Sequence, residues 1–568
     1  MTPHSLSSSL PSVSTAQRGA WFLSLLVILA FILAACGGGS SPTSTTQKSS
    51  VLTIPWNGPF VQTFNPFTAV ANGMPGARGM IYETLIFMNF LQSGAVTPWL
   101  ATSYQFSSDA NTLTFHLRPN VQWSDGKPFS STDVIFTLNL LKQYPALDTN
   151  GLWNYLKSVS APDASTVVVT LKQPYSPILY YLGDQTWIVP QHIWSNIADP
   201  TKYADTNPIG TGPFMFQSFS TQLIALSKNP RYWQPGKPQV TGLHYIVTQS
   251  NNSEELLLDQ GQVDWDGQFL PNVQKSFVSR DPAHYHYWFP PTTTTMLYLN
   301  LAKSPFNLLP VRQAISYAIN RQQLDTAGES GYQPPANPTA LVLPAQQKYL
   351  SSDYTNASFR VDTGKANQLL QSAGFTKGSN GIYVDKSGKP LSFTMNAVTG
   401  WTDWVTDLQI ISANLKAIGI NASVNAISFN SYYVAMQTGN FDAAISWTTS
   451  GPTPFFMFKS ALDSKNTAAV GQNANSNWER WTDPTTDKLL NQYASTTDPN
   501  VQLQAIYGLE KIMAEQLPTI PLLMGTSWSE YTTTHFTGWP SADNAYALPH
   551  TAAVPDTEIV VLNLKPIG

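Results

Sequence analysis

Cysteine is nearly missing from this chain: one thiol, Cys36, stands in 568 residues, so an intrachain disulfide and a cysteine metal cluster are both excluded. Charge is scarce as well. Charged residues make up 11% of the chain, less than half of the roughly 25% usual in globular proteins. The net charge is −4 and the pI about 6.1, which leaves no basic footprint for nucleic acid. The signatures of two hydrolase chemistries, Gly-x-Ser-x-Gly and His-Glu-x-x-His, do not occur. What the chain has instead is aromatic surface, with 17 Trp, 24 Tyr and 27 Phe. Most of these fill cores, and some are expected to line a pocket, where a flat rigid ring gives much contact at small entropic cost. At 62.4 kDa the chain exceeds one ordinary core, so two or three lobes are expected.

The N-terminus explains the lone cysteine. Residues 21–35 (WFLSLLVILAFILAA) are almost wholly apolar, and at about 15 residues they fall short of the roughly 20 that a spanning helix needs. They fit the apolar region of a signal peptide, with Arg18 before it. The run ends in Leu33-Ala34-Ala35-Cys36, which resembles the bacterial lipobox. That resemblance implies cleavage after Ala35 and a diacylglycerol on Cys36. Several acyl chains on one residue give stable anchoring. The following GGGSSPTSTTQKSS reads as a flexible tether.

Beyond residue 50 the pattern is mixed. Alternation or apolar runs predict strands over 51–56, 112–118, 166–171, 421–427 and 441–447. Helices are expected over 79–90, over 131–144 with Thr132-Asp133 as cap, and over 310–323 with Pro310 in the first turn. Others are expected over 363–373 before Gly374, over 404–418 before Gly419, and over 501–516. Mixed elements of this kind point to an α/β or α+β architecture.

Eight blocks then occur in a telling order: Tyr82-Glu83-Thr84-Leu85; Pro98-Trp99-Leu100-Ala101; Trp123-Ser124-Asp125-Gly126-Lys127-Pro128-Phe129; Asn207-Pro208-Ile209-Gly210-Thr211-Gly212-Pro213-Phe214; Asn229-Pro230-Arg231-Tyr232-Trp233; Val311-Arg312-Gln313-Ala314 through Asn320-Arg321; Gly439-Asn440-Phe441-Asp442; and Pro518-Thr519-Ile520-Pro521-Leu522. Over nearly all of 51–568 the chain resembles the family 5 extracellular solute-binding proteins of ABC importers, the oligopeptide and dipeptide type. Most blocks read as scaffold, because turn chemistry accounts for them; Gly210-Thr211-Gly212-Pro213 is expected to turn sharply without side-chain bulk.

The resemblance implies an α/β, two-lobed periplasmic-binding-protein-like clamshell (type II, cluster C) with an extra inserted subdomain. Residues 1–35 would be the signal peptide and 36–50 the acylated cysteine and tether. Lobe I would combine 51–75, 206–295 and 518–568, the inserted subdomain would be 76–205, and lobe II 296–517. Ligand would be enclosed by hinge closure, and the partners would be the ligand and the ABC permease subunits. The chain would act as a monomer on the outer side of the cell membrane, as a binding protein and not an enzyme, without cofactor or metal.

Peptide-binding members anchor the peptide's α-amino group on an Asp within a Trp-x-Ala-Asp-Tyr block. Here the aligned stretch is Trp447-Thr448-Thr449-Ser450-Gly451, and Ser450 stands in the place of that Asp. A buried ammonium without a counter-charge costs several kcal/mol. Gly451-Pro452-Thr453-Pro454, Gly538-Trp539-Pro540 and Asp543-Asn544-Ala545-Tyr546 resemble the cello-oligosaccharide-binding branch. An oligosaccharide or an oligopeptide is therefore the expected ligand. The candidate contacts are Trp56, Asn57, Trp401, Trp404, Asn430, Tyr432, Trp447 and Ser450. Two other classes compete: an extracellular hydrolase using a carboxylate pair such as Asp264 and Asp266, and a surface adhesin or solute-sensing receptor. His284-x-His286 lacks further donors at ligand spacing for a metal.

One prediction concerns the anchor. Mass spectrometry of the N-terminal peptide is expected to show a lipid-modified Cys36, and Cys36→Ser to release the protein from the membrane fraction. An unmodified Cys36 with membrane attachment intact would contradict it.

Overall fold

The computed structural model describes residues 50–68, 75–92 and 94–567; the expected signal segment, Cys36 and nearly all of the tether lie outside the described residues. Two mixed sheets organise the rest. In the first, Val51–Asn57 runs parallel to Gly242–Thr248, followed by antiparallel Leu223–Lys228 and Phe214–Phe219. In the second, the order is Asn421–Ile427, Ser392–Val398, Ala443–Trp447, Pro291–Leu299 and Ile520–Thr526. The first three of these run parallel to one another, and the last two are antiparallel to their neighbours. A four-stranded antiparallel sheet, Ala101–Phe106, Thr112–Leu117, Thr166–Leu171 and Leu156–Asp163, lies within the expected insertion. Thr112–Leu117 and Thr166–Leu171 alternate buried and less buried positions, the mark of a sheet packed on one face. No helix among the described residues is long and apolar enough to cross a membrane.

The expected strands form, and most expected helices form within a residue or two of their bounds. Thr402–Ala417 ends before Gly419 at φ +86°, and Thr363–Ser372 before Gly374 at φ +90°; a left-handed residue there closes the last turn without a Cβ clash. Three expectations are corrected. The helix Ser131–Gln143 is capped by Ser130, with Asp133 completing a capping box by accepting the Ser130 N–H at 3.0 Å. The helix from Leu309 stops at Ala318, and Asn320 starts a new turn. The break lets the buried Arg321 guanidinium donate to Pro521 O, Ser316 O and Ser316 Oγ at 2.7, 3.0 and 2.9 Å.

The third correction is the largest: 79–90 is not a helix. Tyr82, Glu83, Thr84 and Leu85 are all buried, so no polar face remains for solvent. Their backbone groups bond distant partners instead. Ile81 O accepts from Gly212 N at 2.9 Å, Met80 O from Phe214 N at 3.0 Å and Glu83 O from Ile188 N at 3.1 Å, while Leu85 N donates to Gly183 O at 2.9 Å. Ile86–Asn89 then pairs as a strand with Ala95–Pro98.

Four of the sequence blocks meet here. Ser124 N donates to Gly210 O at 2.9 Å, Arg231 reaches Ser124 O at 3.1 Å, and Trp233 Nε1 donates to Glu83 Oε1 at 2.9 Å. The glycines of 207–214 serve close approach. A Cβ on Gly210 would stand 1.8 Å from Ile81 O, and one on Gly212 2.4 Å from Met80 O.

Gly210→Ala is therefore expected to destabilise the protein by about 3 kcal/mol or more, because backbone must move to admit the methyl group. Denaturant unfolding measures this. A loss below about 0.5 kcal/mol would show that the approach is not tight.

Candidate functional site

Parallel strands deliver their carboxyl ends to one edge, and in α/β sheets ligands gather in the crevice outside such ends. In the second sheet those ends lead to Trp401, to the helix Phe429–Thr438, and to Trp447 itself. In the first sheet they are Asn57 and Thr248. The two edges meet where Asn251 N donates to Gly400 O at 3.5 Å. Gly400 sits at φ +91°, and a Cβ there would be 3.0 Å from Gln249 O, so glycine is what permits this contact.

Three of the candidate tryptophans form one cluster. Trp401 lies 5.1 Å from Trp404 and 5.5 Å from Trp447, ring centroid to centroid, and Trp404 lies 5.1 Å from Trp447. Phe429 joins at 5.8 Å from Trp401. Such contacts hold rings rigid. Trp404 is buried and Trp401 half-buried, whereas Trp447 is 44% exposed. Among the described residues it is the one exposed tryptophan.

The other candidates separate. Tyr432 is buried, and its hydroxyl donates to Ile445 O at 2.5 Å, so it braces the helix Phe429–Thr438 against the sheet. Asn430 is exposed on the first turn of that helix. Trp56 is half-buried and packs edge-on against Tyr245, with Asn57 exposed beside it. Trp539 belongs to the core, stacked 4.9 Å from Tyr531, with Nε1 on Phe536 O at 3.1 Å.

Beyond Trp447 the chain stays on the strand Pro291–Leu299. Trp447 pairs with Thr295, Thr448 N donates to Thr294 O at 2.9 Å, and the half-buried Ser450 donates through Oγ to Thr292 O at 3.3 Å. A narrow cleft opens at this point. It has a volume of about 30 Å³ and is lined by Phe90, Leu91, Pro291, Thr292, Val342, Ala345, Gln346, Tyr349, Gly451 and Pro452. None of these side chains carries a charge. The local sequence gives no sign of Phe90, Leu91 or Tyr349 as cleft residues, because the three come from segments with no shared motif. A larger concavity of about 660 Å³ beside Trp99, Arg118 and Trp233 lies away from the strand ends.

The competing motifs fall elsewhere. Asp264 accepts from Thr53 N at 2.9 Å and pairs with His535 at 2.7 Å. Asp266 is fully buried, and burial raises its pKa to about 6. The two therefore do not present a carboxylate pair to a substrate. His284 bonds Asp281 at 2.7 Å. Among the described residues, no group of three or more His, Cys, Asp or Glu is placed to hold a metal ion.

The model for bacterial extracellular solute-binding proteins, family 5, middle region, matches residues 95–469, well over half of the chain. A nickel-binding periplasmic protein of Escherichia coli is 29% identical over 418 residues, 71% of this chain and 76% of that protein. The glutathione-binding protein GsiB of Shigella flexneri is 26% identical over 453 residues, 75% and 80% of the two chains. Among solved structures, a mannohexaose-bound periplasmic oligopeptide-binding protein of an oligopeptide ABC transporter from Thermotoga maritima superposes with a TM-score of 0.85 at 26% identity. It covers 92% of this chain and 99% of its own. The α/β two-lobed clamshell implied by the motif order is the fold of these relatives, and this chain belongs to the family 5 extracellular solute-binding proteins of ABC importers.

Proposed function

We propose that this protein captures a neutral oligosaccharide between its two lobes and hands it to the permease, working as a monomer tethered by lipid on Cys36 to the outer face of the cell membrane. The observation that carries this reading is the exposed Trp447 ring, held by Trp401 and Trp404 at the strand ends, beside a small cleft of about 30 Å³ whose lining side chains are all uncharged. A peptide brings an ammonium and a carboxylate, and enclosing either without a counter-charge costs several kcal/mol. A sugar asks for flat aromatic faces and neutral hydrogen-bonding groups. Trp447, held by Trp401 and Trp404, supplies the first. Ser450, Thr292 and Gln346 supply the second. The mannohexaose bound by the Thermotoga protein supports the same class.

In this reading lobe I comprises 51–75, 206–295 and 518–568, the insertion 76–205, and lobe II 296–517. The pairing of Pro291–Leu299 with Ile520–Thr526 supports a hinge of two adjacent crossings. The chain acts by closing on its ligand and turns nothing over.

The experiment is a thermal-shift screen of the purified protein with cello-, xylo- and manno-oligosaccharides beside a peptide mixture. A ligand at 100 times its Kd stabilises by about 2.7 kcal/mol, so one neutral sugar class is expected to raise the melting temperature. A shift with peptides alone would overturn the reading, and so would conversion of the sugar into fragments. Trp447→Ala is expected to weaken binding about tenfold or more, measured by calorimetry, with little change in the unliganded melting temperature. Tyr432→Phe, in contrast, removes the bond to Ile445 O. It is expected to cost about 1 kcal/mol of stability and leave the affinity unchanged.

A further inference from the structure

Although the chain is poor in charge, it buries carboxyls where its two main sheets meet. On the first sheet's side are Glu254, Asp266 and Glu530, each at most 1% exposed. Asp266 and Glu530 are register partners on adjacent strands, and Glu254 and Asp266 are in hydrogen-bonding contact. The donors available are few: the Thr248 hydroxyl on Glu254 Oε1 and Gly267 N on Asp266 Oδ1 at 2.7 Å. Glu254 Oε2, Asp266 Oδ2 and both Glu530 oxygens receive none.

On the second sheet's side are Glu329, Asp407 and Asp403, also buried. Gln333 Nε2 donates to Glu329 Oε2 at 2.7 Å. Glu329 Oε1, both Asp407 oxygens and Asp403 Oδ1 have no donor, while Glu329 and Asp407 touch each other. The packing is tight, since a Cβ on Gly328 would stand 1.9 Å from Asp407 Oδ1. Asn251 joins the two groups. It begins the helix that carries Glu254, its side chain reaches Asp403, and its N–H meets Gly400 O.

The charged groups acting on these carboxyls are other carboxyls. Asp266 faces Glu254 and Glu530; Asp403 faces Glu329 and Asp407; Asp325 faces Asp407. Among the described residues none of them pairs with a lysine, arginine or histidine. Two buried carboxylates in contact repel, whereas a carboxyl and a carboxylate sharing one proton hydrogen-bond.

We propose that Glu254–Asp266 and Glu329–Asp407 each hold a shared proton, one pair on either side of the lobe seam, so that the two walls of the seam are firmly packed in acidic surroundings and loosen as the medium turns alkaline. Burial pushes all five carboxyls, Glu530 included, above their ordinary range, and like charge adds to it for all but Asp266. The folded chain therefore binds more protons than the unfolded chain between the ordinary carboxyl values, 3.8 and 4.5, and the raised ones. Stability is complete below that window and is lost as the pH rises through it.

The test uses the full chain in mild detergent and no solute, so its outcome is independent of what the protein binds. The melting temperature is expected to fall by about 5 °C between pH 5 and pH 8, and the radius of gyration from scattering to rise over the same range. In Glu254→Gln/Glu329→Gln an amide N–H replaces each shared proton, and the pH dependence is expected to flatten. Infrared spectra at pH 7 are expected to show a protonated-carboxyl stretch that weakens in each of the single variants Glu254→Gln and Glu329→Gln, a readout that stands even where the double variant fails to fold. A melting temperature that is flat or rises from pH 5 to pH 8, a double variant with the full slope, or the lack of that stretch or of its weakening would overturn the proposal.

Discussion

The pairing of Pro291–Leu299 with Ile520–Thr526 is the constraint on which the rest of the molecule depends. The chain passes into the five-stranded sheet on the first of these strands and comes back to the first sheet's side after the second. Because both lie side by side in one ladder, the two crossings form a single element rather than two independent linkers. Two buried arginines fasten it. Arg312 donates to Gln516 O and Leu517 O at 2.8 and 3.0 Å, and Arg321 to Pro521 O. A guanidinium satisfied by several carbonyls is a strong fixed anchor in a low-dielectric core. It also explains why the helix from Leu309 is interrupted where it is.

With that element fixed, the carboxyl ends of the parallel strands of both sheets face one another, and the chemistry of the crevice follows from what those ends carry. They carry tryptophan, threonine, serine and glycine. The scarcity of charge across the sequence is thus matched at the cleft, whose lining is neutral. Buried carboxyls lie behind the crevice, with Asp403 one residue before Trp404 and facing inward. The exposed aromatic face and the acid groups behind it are therefore two sides of one helix start.

The family blocks are mostly joints of the scaffold. Those at 82–85, 123–129, 207–214 and 229–233 converge on one another through backbone hydrogen bonds and the Trp233–Glu83 contact. Their glycines are required by backbone-to-backbone approach. Blocks of this kind identify a fold while saying little about its ligand, and the relatives that share it carry names as different as nickel-binding and glutathione-binding.

The sequence by itself determined the strands, most of the helices and the family. Alternation, N-caps and C-terminal glycines are local signals, and the motif order is a one-dimensional one. It also marked Trp401, Trp404 and Trp447, which the fold brings into one cluster. Tertiary structure alone decided that 79–90 is extended, because its hydrogen bonds come from Gly183, Ile188, Gly212 and Phe214. It likewise decided that Tyr432 turns inward to Ile445 while Trp447 stays exposed, and that Phe90, Thr292, Tyr349 and Gly451 share a cleft. The physical reason is common to all three. Each depends on groups far apart in the chain satisfying one another's hydrogen bonds or excluding one another's water, and no local pattern encodes which distant partner will arrive.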